Sequence, residues 1–250
     1  MIYAVTKDKK RISSYDSIEK DKYFCPSCGG EVILKRGKTN VSHFAHKNLL
    51  DCDIFTSEMS EWHISWQNKF PIETREVIIK HTFNQEDRFT REYNIKIGKE
   101  YIHRADVCIG NYVIEFQHSN IKKEQFMLRN YFYAQCGYKV IWLFDFRDEF
   151  RSGRMKYYDE WSNGYDNGGK WKWSNPPRFL SDISPHRNKM IKLIFQFADD
   201  KNDGVGYIGL VTWAMDSNVD ISGTDYKRFF TSYKIMNHDE LYESIISKEI

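Results

Sequence analysis

HRADVCIGNYVIEFQHS, residues 103–119, is the stretch whose reading decides the fold. Gly110-Asn111 reads as a two-residue hairpin turn, because both residue types tolerate the positive φ such loops use. Folding there sets Ile109 against Tyr112, Cys108 against Val113 and Val107 against Ile114. Asp106 then faces Glu115, and Arg104 faces Gln117. Directly opposed side chains lie about 5 Å apart at Cβ, and like charges at that distance destabilise a sheet. Val113, Glu115 and Gln117 share one face; Tyr112, Ile114 and Phe116 share the other, an apolar face expected to meet a helix. A divalent cation would turn the repulsion into attraction, since Mg²⁺ is commonly held by one or two carboxylates with water and substrate phosphate. Such an ion polarises a phosphoryl oxygen and helps to generate an attacking hydroxide. The plainer alternative is an exposed charge cluster neutralised by Arg104.

The flanks supply a frame for this hairpin. SEMSEWHISWQNKF (57–70) reads as a helix, with Ser57 or Ser60 as cap, Met59, Trp62 and Trp66 at helical spacing, and Pro71 as stop. REVIIKHTF and TREYNIKI read as strands or as one bent ribbon. After the hairpin, NIKKEQFMLRNYFYAQCG reads as a helix with Ser119 as N-cap and Gly137 at its end. KVIWLFDF then reads as a buried strand, parallel to YVIEFQ through a right-handed crossover. Residues 150–185 loosen into Gly, Asn, Trp and Tyr and read as a long loop or an appended subdomain. Within them KWKWSNPPRF (170–179) could stack bases, but alternating Trp and Lys also describes a half-buried strand, the preferred reading. Short apolar runs follow, then a helical segment around DYKRFFTSYKIMNHDELYESIIS.

The chain of 250 residues, 41% hydrophobic and 29% charged, is long enough for a sizeable core without covalent staples. No run approaches the roughly eighteen apolar residues of a membrane span, and the first residues do not read as a signal peptide, so no membrane is expected and cytoplasm is the expected location. A formal net charge of +2 neither supports nor excludes nucleic acid as a partner. Five cysteines in such a chain favour metal binding or burial over disulfides.

CPSC (25–28) is a knuckle whose two thiolates can reach one Zn²⁺, and HFAH (43–46) or Cys52 could complete a tetrahedral set. The ligands expected are Cys25, Cys28 and two of His43, His46 and Cys52. Four protein ligands leave no open position, so the role is structural. The alternative is that HFAH packs as a short metal-free strand. Cys108 and Cys136 read as buried small residues.

Asp, a turn, then Glu-x-Gln, between a preceding acidic helix and a following crossover helix, resembles the PD-(D/E)xK restriction-endonuclease superfamily. Its αβββαβ core can be laid on residues 57–146. More narrowly, HRADV, IEFQHSNI, F-x-x-RNYFY and VIWLFD, behind CPSCGG and HFAHK, resemble the CoiA-like competence-protein family of predicted nucleases over about residues 20–146. The resemblance implies that Asp106 and Glu115 are carboxylates for Mg²⁺ or Mn²⁺. Gln117 stands where the wider superfamily usually has a catalytic lysine, and an amide is neither a base nor a cation. Lys122 or Lys123 could supply the charge; His118 is a weaker candidate, since alternation points it away from Glu115. Glu61 and His63, in SEWH, match the family's Glu-x-His. Glu61 would be a ligand or orient a water, and His63 would contact phosphate or carry a proton; the plain readings are a solvent-facing charge and a core histidine. A zinc-ribbon-like module would help to grip nucleic acid through Lys35, Arg36 and Lys38, which could equally be a solvated turn.

The expected architecture is α/β with a mixed sheet: a zinc-ribbon-like module over 1–54, a nuclease core over 55–149 and an extension of unclear function over 150–250. The expected function is a metal-dependent nuclease acting on DNA, in competence, recombination or defence. A catalytically impaired DNA-binding accessory protein is the alternative, and a zinc-organised protein-interaction domain the third. Strandedness, sequence preference and oligomeric state are not legible.

Overall fold

The computed structural model describes residues 1–37, 41–48, 52, 59–118, 120–160, 169–177, 180, 191–197, 208–212, 228–236 and 238–247. The chain divides into two compact units, 1–108 and 109–250.

In the first unit, β1 (Tyr3–Val5), β2 (Arg11–Ser13), β3 (Tyr23–Phe24), β4 (Glu31–Lys35) and β5 (His43–His46) form an antiparallel sheet in the order β2-β1-β3-β4-β5. Ala4, Tyr23, Cys25, Val32 and Phe44 make its core, with Tyr23 and Phe44 rings 5.0 Å apart. Arg36 is committed to this module: its guanidinium donates to the carbonyls of Ser14, Tyr15 and Ser17 at 2.6, 3.2 and 3.3 Å. Lys35 is exposed, and Lys38 lies outside the described residues.

Helix α1 (Glu61–Gln67) starts at Ser60, whose hydroxyl accepts from the His63 N–H at 3.2 Å. Ser57, the other expected cap, lies outside the described residues. Trp62, His63, Ile64, Trp66 and Gln67 are buried, and Ile64 packs with Ile2 and Tyr3. Strand β6 (Arg75–Thr82) then pairs antiparallel with β7 (Glu100–Ile109). The strand expected at TREYNIKI is not formed. That stretch enters α2 (Arg88–Glu92), because Asp87 and Thr90 exchange side-chain-to-backbone hydrogen bonds of 2.7 and 2.8 Å, a reciprocal N-terminal cap. Phe89 and Tyr93 stack one turn apart at 4.3 Å, the i, i+4 spacing that a helix brings together.

The second unit holds β8 (Tyr112–Gln117), α3 (Lys123–Gln135), β9 (Lys139–Asp145), α4 (Arg147–Arg151), β10 (Met155–Glu160), β11 (Gly169–Trp173), β12 (Ile191–Gln196), β13 (Ile208–Thr212), β14 (Arg228–Met236) and α5 (His238–Ile246). Its strands run in the order β8-β9-β12-β13-β14-β11-β10. The β8/β9 and β9/β12 pairs are parallel and the others antiparallel, so this sheet is mixed as expected. Gly110 takes φ 58° and Asn111 stays out of the left-handed region, a II′ pattern rather than a doubly positive turn.

Several sequence expectations in this unit change. Helix α3 has Lys122 at its N-cap without a side-chain bond; Ser119 lies outside the described residues. Gly137, at φ 81°, ends the helix as expected. Residues 228–236, expected to be helical, are β14, hydrogen-bonded to β11 on one side and β13 on the other. Pairing on both edges overrides local helical character there. The run from 150, expected as a long loop or an appended subdomain, contributes β10 and β11, and the Trp-Lys stretch is the strand preferred from sequence. Helix α3 covers the opposite face of β8 from the one expected. Phe126 meets Trp142 at 4.8 Å, Asn130 accepts from Trp142 Nε1 at 2.9 Å, and Trp142 is in register with Glu115. Among the described residues no helix is long and apolar enough to cross a membrane.

Candidate metal centre and acidic site

The first unit holds a compact donor cluster. One donor atom each from Cys25, Cys28, His46 and Cys52 falls within 4.8 Å of the others. Cys25 Sγ lies 3.7 Å from Cys52 Sγ, and His46 Nε2 lies 3.4 Å from both Cys28 Sγ and Cys52 Sγ. The knuckle is built by the backbone: Ser27 N–H points at Cys25 Sγ and Gly30 N–H at Cys28 Sγ, each at 3.4 Å. His46 is placed by β5 against β4, paired with Val32. His43, the fifth candidate, turns away; its Nδ1 sits 2.7 Å from the Val41 carbonyl. A Cys₃His donor set is compatible with structural Zn²⁺ and leaves no open position. Burial, Arg104 and the N-terminal ammonium hold His46 below its ordinary pKa, which favours the neutral imidazole a metal needs. Burial and the neighbouring Cys25 sulfur push the Cys52 thiol up. Burial also opposes ionisation of Cys25, but N–H donors from Cys28 and Ser27 bring its pKa down. Clustered sulfurs of this kind need a cation to be ionised together.

Asp106 lies on β7 in the same unit, its side chain 15% exposed. Helix α1 serves it twice. His63 Nε2 lies 3.0 Å from Asp106 Oδ1, and Gln67, one turn later, donates from Nε2 to the Asp106 carbonyl at 3.0 Å. His63 is therefore a buried histidine and a partner of Asp106 at once. Glu61, on the first turn, is exposed, and its charge helps to raise the Tyr15 phenol above its ordinary pKa, after burial.

Glu76, on β6, was not singled out by sequence. It takes φ 44°, a left-handed conformation costing about 1–3 kcal/mol for a residue with a side chain. Its buried carboxylate accepts from the Ile2 and Tyr3 N–H groups at 2.8 and 3.1 Å. Burial alone would raise its pKa; Arg104, the N-terminal ammonium and these two donors bring it below the ordinary value.

In the second unit Glu115 is 2% exposed, which removes the exposed-cluster reading for it. Arg129 Nη1 donates to Oε2 at 3.0 Å, and the Tyr133 hydroxyl donates to Oε1. Arg129 and Tyr133 are four residues apart on α3, so one face of the helix presents both to the strand. The RNYFY motif carried this signal, since Arg and Tyr recur at helical spacing on a buried face. Gln117, two residues on from Glu115, is 6% exposed. Lys122 and Lys123 are exposed at the start of α3, whereas the positive charge beside Glu115 comes from Arg129. Cys108 and Cys136 are half-buried rather than fully buried as expected, and burial pushes the Cys136 thiol up to about 11.

Two family models match this chain: the N-terminal domain of competence protein CoiA over residues 5–55, and the CoiA nuclease-like domain over residues 96–160. Competence protein CoiA of Bacillus subtilis strain 168 is 38% identical over 47 residues, a span covering 19% of this chain and 13% of that protein. No solved structure matches. The first match contains Cys25, Cys28, His46 and Cys52, and the second contains Asp106, Glu115, Gln117, Arg129 and Tyr133.

Proposed function

We propose, for a chain that is CoiA-like in both its N-terminal and its nuclease-like stretch, that it is a metal-dependent nuclease hydrolysing phosphodiester bonds in DNA. The observation that carries this reading is the buried Glu115 carboxylate held by Arg129 and Tyr133 inside the nuclease-like match. Burying an ion pair contributes little to stability, so two polar groups converging on one buried carboxylate favour a working site. Zn²⁺ on Cys25, Cys28, His46 and Cys52 would hold the N-terminal module, 1–54, in front of a core over 55–149.

The resemblance of HRADV and IEFQ to the nuclease superfamily makes Asp106 and Glu115 the carboxylates that would hold Mg²⁺ or Mn²⁺. A carboxylate has about four acceptor positions, so the bonds from Arg129 and Tyr133 leave room on Glu115. When bound, the ion supplies Lewis acidity toward the phosphoryl oxygen and lowers the pKa of its water. The chain's own groups do the rest. Arg129 offsets negative charge beside Glu115 and stands in for the superfamily's lysine as the local cation. The Gln117 amide orients the attacking water by hydrogen bonding. His63 and Gln67 fix Asp106, Glu61 orients a water, and Lys122 supports the developing charge.

The second reading, a DNA-binding accessory protein without turnover, is favoured by one observation. Gln117 replaces a lysine, and both Glu115 oxygens already have protein partners. The test is cleavage of single- and double-stranded DNA, linear and circular, with Mg²⁺, Mn²⁺ or EDTA, comparing wild type with Asp106→Asn and Glu115→Gln. Metal-dependent cleavage lost in both variants supports the nuclease. Salt-sensitive DNA binding without cleavage by wild type, and equal in both variants, selects the accessory reading.

A further inference from the structure

Strands β8, β9 and β12 run parallel, and their registers align Gln117 with Phe144 and Gln196 with Asp145. Their C-terminal ends therefore share one edge of the sheet, the edge at which open α/β sheets bind ligands. At that edge stands His118, one residue past the end of β8. Its Nδ1 lies 2.7 Å from Asp145 Oδ2. The Asp145 side chain is 4% exposed and the His118 side chain 45% exposed, so a buried carboxylate orients an accessible ring. Arg147 completes the unit, donating from Nε to Oδ1 at 2.7 Å and from Nη2 to Oδ2 at 2.6 Å, with its backbone N–H 3.3 Å from Oδ1.

An exposed histidine needs no such support for stability, since exposed polar contacts contribute little. A carboxylate fixed on one imidazole nitrogen is the device that sets the tautomer and aims the other nitrogen outward. Burial works against the charge on Asp145, but Arg147 and His118 hold its carboxyl below the ordinary range, so it stays an acceptor at neutral pH. Because β8 ends at Gln117, strand alternation does not fix the direction of His118. In the reaction proposed above His63 is engaged with Asp106 and Gln117 cannot release a proton, so neither is assigned to protonate the departing oxygen.

We propose that His118, positioned by Asp145, is the general acid of the phosphodiester cleavage. This rests on the nuclease reading. Water oxygen bonds to phosphorus while the bond from phosphorus to the departing sugar oxygen breaks, its electron pair staying on that oxygen. The proton on Nε2 of the imidazolium passes to that oxygen. The proton lost by the attacking water goes to solvent, and solvent reprotonates the ring. His118 is the catalytic residue and Asp145 a positioning residue.

The test uses the full chain and DNA strands in which the departing oxygen is replaced by bridging sulfur, placed on the 3′ or the 5′ side of the scissile phosphorus. A thiolate leaves without a proton. His118→Gln is expected to slow cleavage of the all-oxygen strand about 10²–10⁴-fold, to slow the sulfur strand less than about tenfold, and to leave DNA binding unchanged. Asp145→Asn, checked for folding by its thermal transition, is expected to show the same selectivity, whereas a merely structural role would slow both strands alike. Equal slowing of both strands by His118→Gln, or none, overturns the proposal. If wild type cuts and Glu115→Gln does not, while His118→Gln cuts at the wild-type rate, the general acid alone is wrong. If wild type cuts neither strand, the nuclease reading and the general acid fall together.

Discussion

The donor cluster around Cys25 and the pocket around Glu115 solve opposite electrostatic problems. In the first, three sulfurs and an imidazole converge in a set that a cation could hold. In the second, a buried carboxylate is already balanced by an arginine and a tyrosine from one helix. The lesson is that the Cys₃His set is compatible with an ion as its organiser, whereas the Glu115 carboxylate finds its partners on the protein itself. Metal removal should separate them.

The largest effect expected is therefore in the N-terminal module. Structural Zn²⁺ sites contribute apparent free energies of about 10–16 kcal/mol in small modules. Cys28→Ser, or a strong chelator, should abolish bound zinc and melt the five-stranded sheet, while α3 and β9 keep their hydrogen-exchange protection. Metal analysis with amide exchange reads both; unaltered zinc content in Cys28→Ser would break the contrast. Next comes Arg129→Ala, which strands a buried charge and should cost about 3–5 kcal/mol in urea unfolding. Arg129→Met combined with Glu115→Gln should recover much of that loss, because it removes the uncompensated charge.

Acid should erode both units by the same law. Glu76 in the first unit and Asp145 in the second have folded pKa values below their ordinary ones. As pH falls the unfolded chain takes up these protons first. Their stabilisation is thus full above about pH 5, declines through about pH 4 and is lost below the folded values. Unfolding free energy between pH 7 and 3, compared with Glu76→Gln and Asp145→Asn, checks this; each variant should flatten the fall. The smallest effect is at the cap of α1. Ser60→Ala should cost about 1 kcal/mol and loosen His63 against Asp106 without changing zinc content.

The legibility of these features in sequence followed how local each one is. The CPSC knuckle, the Gly110-Asn111 turn and the parallel crossover from YVIEFQ to KVIWLFD depend on neighbours within a few residues or on one connection rule, and all three are formed. The choice of His46 and Cys52 over His43 was not legible, because pairing of β4 with β5 decides which ring faces the knuckle. Arg129, Tyr133 and Gln67 were missed as partners of the acids, since each acts across a tertiary contact. TREYNIKI misled because β-branched and aromatic content suggested a strand, while the Asp87–Thr90 cap acted first. Glu76 carried no sequence signal, since its left-handed backbone has no marker in a β-rich run.

The placement of β12 beside β9 has a consequence for how the chain is made. A ribosome finishes VIWLF of β9 some fifty residues before the strand that covers its open edge, Ile191–Gln196. Until then an apolar edge with unpaired N–H and C=O groups is presented to other nascent chains. A shorter chain ending near residue 149 would keep that edge permanently, and would be expected to aggregate even with every proposed catalytic residue present. Strand β12 thus acts as a built-in guard on the edge of β9.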